Sequence, residues 1–172
     1  MIMLRFSHLF MVLFLVPAIG TQASAVAPDK HQNSGPSGLA IPRFVSLASD
    51  TVHMRAGPGV RYPITWVYKR LGTPFMVMAE HEYWRKVRDA EGTEGWIHRS
   101  LLSNRRTAVL RDRVADLYKL PDSNSPITLR AEPGVIGKLL ECTKSWCRME
   151  LDTTRAWIPR TKIFGALDTE QF

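Results

Sequence analysis

The chain contains one segment of about 62 residues that occurs twice in succession, and this repeat constrains the fold more than any other feature. The matched pairs lie 61 to 63 positions apart: Pro58 and Pro121, Pro63 and Pro126, Ile64 and Ile127, Trp84 and Trp146, Trp96 and Trp157. Four of the five tryptophans are therefore in matched positions. A tandem repeat of this length predicts two similar structural units, each one a small domain.

Both units have the sequence pattern of an all-β domain. Their apolar runs are short, as in residues 75–78, 84–88 and 96–98, and Gly, Pro and Asp separate them. Sustained helical periodicity is absent from both copies, so we predict two small tandem β-barrels, over residues 42–103 and 107–165. A domain of roughly 60 residues is near the lower limit for independent folding. The short polar connection at 103–106 predicts that the two barrels pack closely together.

Three further segments flank the repeats. Residues 1–27 carry Arg5, then an apolar run, then small residues ending at Ala25 or Ala27, which is the layout of a cleaved signal peptide. An uncleaved anchor is the alternative, but the run is short against the roughly 20 residues of a membrane span. We therefore expect an exported protein, periplasmic or secreted, with no membrane span in its mature form. Residues 28–41, rich in Gly, Pro, Ser and Asn, predict a flexible linker, and residues 166–172 form a tail.

The charge balance favours an acidic partner. The formal net charge is +7, from 23 Lys and Arg against 16 Asp and Glu, and loss of Arg5 with the leader leaves +6. Nucleic acid, anionic lipid and an anionic wall polymer would all suit a basic protein. Because export separates the protein from nucleic acid, we expect a cell-wall polymer, or a peptide or protein ligand.

The first repeat resembles the bacterial SH3-type domain of exported proteobacterial proteins. The resemblance rests on three stretches: Val52-His53-Met54-Arg55-Ala56-Gly57-Pro58-Gly59, Tyr83-Trp84-Arg85-Lys86-Val87 and Gly92-Thr93-Glu94-Gly95-Trp96-Ile97-His98. His53 stands where the family pattern usually has Asn. The second repeat departs further, with Lys119-Leu120 for Ala56-Gly57, Leu129 for Trp66 and Ala156 for Gly95. The resemblance implies a small barrel that binds peptides or cell-wall material without catalysis.

The only two cysteines, Cys142 and Cys147, predict a structural disulfide. Both lie in a domain expected to be exported, and a hairpin turn at Lys144-Ser145 would place them opposite each other. At the matching positions the first repeat has Glu80 and Arg85, which we interpret as an ordinary surface ion pair. Two thiols are too few for a metal site. The spacings of His53, His81 and His98 match no metal-ligand motif, so we expect neither a metal nor a cofactor.

Aromatic and arginine side chains of the first repeat are the candidate ligand-binding residues. The predicted set is Tyr62, Trp66, Tyr68, Trp84, Arg55 and Arg61. Aromatic faces suit prolines or sugar rings, and guanidinium groups suit carboxylates. The alternative for any of these aromatics is a place in the core, which we expect for Trp96 and Trp157 in particular. Gly95, next to Trp96, suits a bulge or a close backbone approach.

Three function classes are compatible with these features. The first is a non-catalytic binding module that recognises peptidoglycan or a peptide. The second is a scaffold whose barrels mediate protein–protein assembly in the envelope. The third is an envelope hydrolase, which we do not expect, because no motif such as G-x-S-x-G frames a nucleophile and the two barrels occupy residues 42–165.

Overall fold

The computed structural model describes residues 34–111 and 113–172, which form two β-sheets. In these ranges there is no α-helix, only two three-residue 3₁₀ turns, at Arg99–Leu101 and Arg160–Lys162. No helix in the same ranges is long and apolar enough to cross a membrane. The predicted signal peptide and the first half of the predicted linker lie outside the described residues. The all-β prediction is confirmed.

The first sheet has seven strands in the order β3-β2-β6-β5-β4-β1-β7. They are β1 (Arg43–Leu47), β2 (Val52–Arg55), β3 (Ile64–Tyr68), β4 (Pro74–His81), β5 (Trp84–Arg88), β6 (Glu94–His98) and β7 (Leu102–Ser103). The pairings β1–β4, β4–β5, β5–β6, β2–β6, β2–β3 and β1–β7 are all antiparallel.

The second sheet repeats this topology in the order β10-β9-β13-β12-β11-β8-β14. Its strands are β8 (Thr107–Leu110), β9 (Ala115–Tyr118), β10 (Ile127–Ala131), β11 (Ile136–Cys142), β12 (Trp146–Leu151), β13 (Thr154–Pro159) and β14 (Ile163–Phe164). The predicted duplication is therefore a duplication of structure. Among the described residues, the end strands β3 and β7 of the first sheet do not pair with each other, and neither do β10 and β14 of the second. The hydrogen bonds between strands therefore do not close either sheet into a complete barrel.

Alternation along the strands builds one core per sheet. In the first, β2 turns Val52 and Met54 inward, β5 turns Val87 inward and β6 turns Ile97 inward, all with no exposed surface. The second sheet encloses a matching cluster that includes Leu117, Met149 and Ile158. Aliphatic side chains and methionine fill the interior, together with Phe75 in the first core and the two cysteines in the second, and the tryptophans of the matched pairs lie outside it.

The segments before and after the two sheets make defined contacts with them. Residues 34–40 form a small loop closed by a bridge between Ser34 and Ala40, and Ser37 donates hydrogen bonds to Glu80 from its backbone N (2.9 Å) and its hydroxyl (2.8 Å). At the other end, Phe172 and Cys142 exchange backbone hydrogen bonds of 2.9 and 3.2 Å. The second half of the predicted linker and the predicted tail thus both lie against sheets.

The two repeats also contact each other. Phe44 and Phe164, both 6% exposed, meet edge to face with ring centroids 4.9 Å apart. The Thr107 hydroxyl donates to the Gly72 carbonyl at 2.7 Å, and Arg70 donates to the Gly134 carbonyl at 2.6 Å. The short connection between the sheets is therefore accompanied by direct packing of one repeat on the other.

The predicted disulfide is present. Cys142 and Cys147 are opposite each other in the β11–β12 register and are bonded. Glu80 and Arg85 occupy the same places in the β4–β5 register of the first sheet and form an ion pair of 3.0 Å. The expectation of an ordinary surface pair is wrong, because the Glu80 side chain is only 1% exposed and that of Arg85 only 8%.

Removal of the disulfide should destabilise the second domain by about 2 kcal/mol, the value that loop-closure entropy gives for so short a loop. Denaturant unfolding of the double variant Cys142→Ala/Cys147→Ala, compared with the oxidised wild type, measures this loss. Thiol titration of the denatured, non-reduced protein should find no free thiol. Two titrating thiols would contradict the bond.

Candidate functional site

The outer face of the first sheet carries a continuous stripe of aromatic and basic side chains. In β5 and β6 the buried Val87 and Ile97 alternate with partly exposed Trp84, Trp96 and His98. The register places Trp84 opposite His98, and places Trp96 between Lys86 and Arg55. Residues opposite each other share a face, so the aromatic rings of neighbouring strands lie side by side.

A groove of about 370 Å³ lies at one end of this stripe. Its lining includes His53, Arg55, Val60, Trp84, His98 and Ser100. Val60 is 79% exposed, and the Trp84 ring meets the His98 ring edge to face at 5.4 Å. An apolar wall with a few polar groups at its rim is the usual composition of a site for a small ligand or a peptide side chain.

His98 is held in place by the 3₁₀ turn that follows it. Its Nδ1 lies 2.7 Å from the Ser100 hydroxyl and accepts a hydrogen bond from the Ser100 backbone N at 3.4 Å. The Tyr83 ring, 6.1 Å away, flanks it on another side, and the Arg99 guanidinium lies 4.9 Å above that ring. The His98–Ser100 pair is therefore a cap of the turn, and it fixes the imidazole at the groove edge.

Arg55 supports the wall of the groove. Its guanidinium donates to the carbonyls of Val60 at 3.0 Å and Tyr62 at 2.7 Å, so it fixes the loop between β2 and β3. The Tyr62 ring packs against Gly57, where a Cβ would lie 2.5 Å from the ring. The glycine before Pro58 is thus needed for a close approach inside the loop.

Trp66 and Tyr68 lie on the other side of the first sheet. They are opposite Met54 and Val52 in the register, and therefore on the inner face, at the edge strand β3. Trp66 is 55% exposed and its ring lies 6.3 Å from that of Tyr68.

Tyr68 has a structural role in the first domain. Its ring packs edge to face on Phe75 at 4.8 Å, and its hydroxyl donates to Asp89 at 2.7 Å. Burial, and then the hydrogen bond to Asp89, raises the pKa of Tyr68 well above its usual value. The other Asp89 oxygen accepts from the backbone N of Thr93 at 2.7 Å, so this carboxylate joins the tyrosine to the β5–β6 turn.

The predicted binding residues therefore divide into three groups. Trp84 and Arg55 line the groove. Arg61 lies 5.4 Å above the Tyr62 ring, on the neighbouring loop. Trp66 and Tyr68 are at the opposite face. No single site contains all six.

The expectation that Trp96 and Trp157 are core residues is wrong. Both are partly exposed, whereas the isoleucines that follow them, Ile97 and Ile158, have no exposed surface. Successive side chains of β6 and β13 point to opposite faces of the sheet, and in both strands the isoleucine is on the inner face. Gly95 is at the predicted close approach, since a Cβ there would lie 2.5 Å from Met54 Cγ.

Two groove residues, His53 and His98, were not among the predicted site residues. The alternation of β2 and β6 was the signal for them, because it places both on the outer face beside Trp84. His81 packs against Trp96, with centroids 6.5 Å apart. Within residues 34–111 and 113–172, no three His, Cys, Asp or Glu side chains come together in a way that could hold a metal ion.

The second domain has a different surface at the position of the groove. By the repeat register, Tyr118 stands at the place of Arg55, Trp146 at that of Trp84, and Pro159 at that of His98. Tyr118 packs edge to face on Trp146 at 5.6 Å. The arginine and the histidine of the first groove have thus been replaced.

Comparison with known families agrees with the duplicated sheet. The family model described as "Bacterial SH3 domain" matches residues 48–104 and again residues 112–165, together more than half of the chain. The chain belongs to the bacterial SH3 domain family. No curated protein sequence matches it.

Solved structures that are similar to these two bacterial SH3 domains belong to longer proteins. NlpC2 and NlpC1 from Trichomonas vaginalis align with 73% and 77% of the chain, at 11% and 12% identity and a TM-score of 0.34 each. An NlpC/P60 family protein from Bacillus cereus aligns with 70% at 14% identity and a TM-score of 0.32. The chain spans about half the length of these proteins, 48%, 49% and 55% respectively. At such TM-scores the likeness adds nothing to the family assignment.

Proposed function

We propose that the protein is a non-catalytic binding module of the bacterial envelope, and that the groove of its first SH3 domain binds peptidoglycan or a peptide. The observation that carries the proposal is the groove itself. It combines an accessible tryptophan with a fixed imidazole and an apolar wall on a basic protein. An aromatic face of this kind suits a proline or the apolar side of a sugar ring.

Two further features support this proposal. Arg55 and His98 of the first groove are replaced by Tyr118 and Pro159 in the second domain, so the two copies have diverged at the surface while keeping the same fold. The contact between His98 and Ser100 is explained by turn capping rather than by a catalytic pair, since the same imidazole nitrogen also accepts the Ser100 backbone N–H. Export of the chain, expected from residues 1–27, would bring the groove to the cell wall.

Trp84→Ala should weaken binding to purified peptidoglycan sacculi about tenfold, because loss of a stacking face at the centre of a site typically costs more than 1 kcal/mol. Co-sedimentation of the protein with sacculi measures the change. Trp146→Ala, the same substitution at the matching position of the second domain, is the control and should leave binding unchanged. The thermal midpoints of both variants separate a binding defect from unfolding.

Assembly is the second candidate function, and the edge strand β3 favours it. This strand leaves Ile64 (44%), Trp66 (55%) and Val67 (42%) exposed, and among residues 34–111 and 113–172 it pairs on one side only. An exposed strand edge can pair with another chain. Sacculus binding that survives Trp84→Ala, together with self-association that is lost on Trp66→Ala, would replace the binding proposal with assembly.

A further inference from the structure

The two domains present matching arginines at one end of each sheet. Leu47 and Leu110 occupy equivalent positions. The Leu47 backbone N donates to the Thr73 carbonyl, and the Leu47 carbonyl accepts from the Gly72 backbone N. Leu110 makes the same two hydrogen bonds with Val135 and Gly134. Counting back from these leucines makes Arg43 equivalent to Arg106. Arg99 and Arg160 each open the 3₁₀ turn of their domain and are equivalent as well.

In the second domain these arginines hold a peptide segment, the chain's own residues 166–172. Arg106 forms an ion pair with Glu170 through both carboxylate oxygens, the second at 2.9 Å, and stacks on Phe172 at 4.7 Å. Arg160, 6% exposed, donates to the backbone carbonyls of Leu167 and of Glu170, the latter at 2.6 Å. The backbone pairing of Phe172 with Cys142 completes an acidic segment bound along the sheet end.

In the first domain the equivalent place is an open pocket of about 330 Å³. Its lining includes Leu39, Arg43, Arg85, Arg99, Ser100 and Asn104. The residues after Asn104, which correspond to the bound segment, run on into β8 instead. The loop of residues 34–40 forms one wall of the pocket through Leu39, and Arg43 donates to the Ala40 carbonyl at 3.2 Å. Arg99 is exposed.

The pocket of the first domain and the arginine site of the second domain carry the same net charge when residues 166–172 are not counted. Arg43 and Arg85 pair with a single carboxylate, Glu80, and Arg99 lines the same pocket, so three arginines and one glutamate leave two positive charges. In the second domain Arg106 and Arg160 also amount to two positive charges before Glu170 is counted. Desolvation, and the charges of Arg43 and Arg99, lower the pKa of Arg85, although Glu80 opposes this. An added carboxylate would relieve that repulsion.

We propose that this pocket of the first domain binds an acidic peptide segment, with a carboxylate side chain between Arg43 and Arg99, as residues 166–172 are bound in the second domain. The occupant is a short peptide from a partner, folded in a turn like that of residues 167–170, where the Glu170 backbone N donates to the Leu167 carbonyl at 3.0 Å. Its recognised groups are a glutamate and the neighbouring backbone carbonyls. Arginine pairs with carboxylates through two parallel hydrogen bonds, which selects the carboxylate over its amide. The pocket is distinct from the groove proposed above, and the two share only Ser100.

The test uses the full chain and a labelled synthetic peptide with the sequence Ala-Leu-Asp-Thr-Glu-Gln-Phe. Fluorescence anisotropy should show binding that weakens at least about tenfold when the peptide's glutamate is replaced by glutamine. Arg99→Ala should produce a similar loss, since this exposed arginine contributes charge to the pocket and is not needed for the core. Lys119→Ala, which removes one exposed positive charge from the second domain, is the matched control and should leave the affinity unchanged.

The outcomes separate this site from the alternatives. Absence of binding, or binding unaffected by the glutamine peptide, would overturn the proposal. Binding that survives Arg99→Ala would also overturn it, because the peptide would then be exchanging with residues 166–172 in the second domain. Trp84→Ala should leave peptide binding intact, so failure of the groove proposal and failure of this one give different results. Unchanged thermal midpoints confirm that the variants are folded.

Discussion

Glu80→Gln should lower the free energy of unfolding of the first domain by about 3 kcal/mol, as expected when one partner of a buried ion pair is removed. The Glu80 carboxylate accepts from Arg43 at 2.6 Å and pairs with Arg85 at 3.0 Å, and its side chain is 1% exposed. The amide would leave two guanidinium groups in a poorly solvated site without a counter-charge. Denaturant unfolding followed by circular dichroism measures the loss.

The same substitution should change the pH dependence of stability. Burial alone would raise the pKa of Glu80, but hydrogen bonds from Ser37 and Arg43 and the charge of Arg43 outweigh it, so the pKa is lowered. A carboxyl whose pKa is lower in the folded state stabilises fully above its unfolded value, near 4.3, and loses that contribution as the pH falls through the folded pKa. The stability gap between wild type and Glu80→Gln should therefore be constant at neutral pH and shrink below about pH 4.

Glu94→Gln is the control for this pH dependence. Glu94 pairs with Lys86 at 2.8 Å and with Arg88, but it lies on the exposed outer face. Solvent screening makes the loss of such a surface pair small. A gap between wild type and Glu80→Gln that stays the same from pH 7 to pH 3 would show that the carboxylate charge does not stabilise the fold.

The Cys142–Cys147 pairing was predictable from the sequence, whereas the burial of its counterpart was not. Two cysteines five positions apart across a hairpin are constrained by local geometry alone. Glu80 is held by Ser37, which lies more than 40 residues before it and folds back onto the sheet end. A contact of that sequence separation leaves no periodic signal, so the sequence alone indicates only a surface pair.

The candidate site was predictable only in part for a similar reason. The sequence identified Trp84 and Arg55, because they belong to short motifs of the first repeat. It grouped them with Trp66 and Tyr68, which are close in sequence but occupy the opposite face of a curled sheet. The arginine pocket was not predictable from the sequence, since only the bound position of residues 166–172 in the second domain indicates what the equivalent arginines of the first domain could hold.

The matched repeats also allow the strand parity to be tested in both domains. Ile97→Ala and Ile158→Ala should each cost about 2–5 kcal/mol of unfolding free energy, because both side chains are fully buried and alanine would leave a cavity. Trp96→Ala and Trp157→Ala, one position earlier, should cost only about 1 kcal/mol, since these rings lie on the outer face and alanine leaves no enclosed void. Arg148, 5.7 Å above the Trp157 ring, is itself near the surface and can remain solvated after the change.

Urea unfolding of the four variants under one set of conditions gives the comparison. If the tryptophan variants were less stable than the isoleucine variants in both domains, the inner and outer faces assigned to β6 and β13 would be reversed, and the groove beside Trp84 would lose its place on the outer surface.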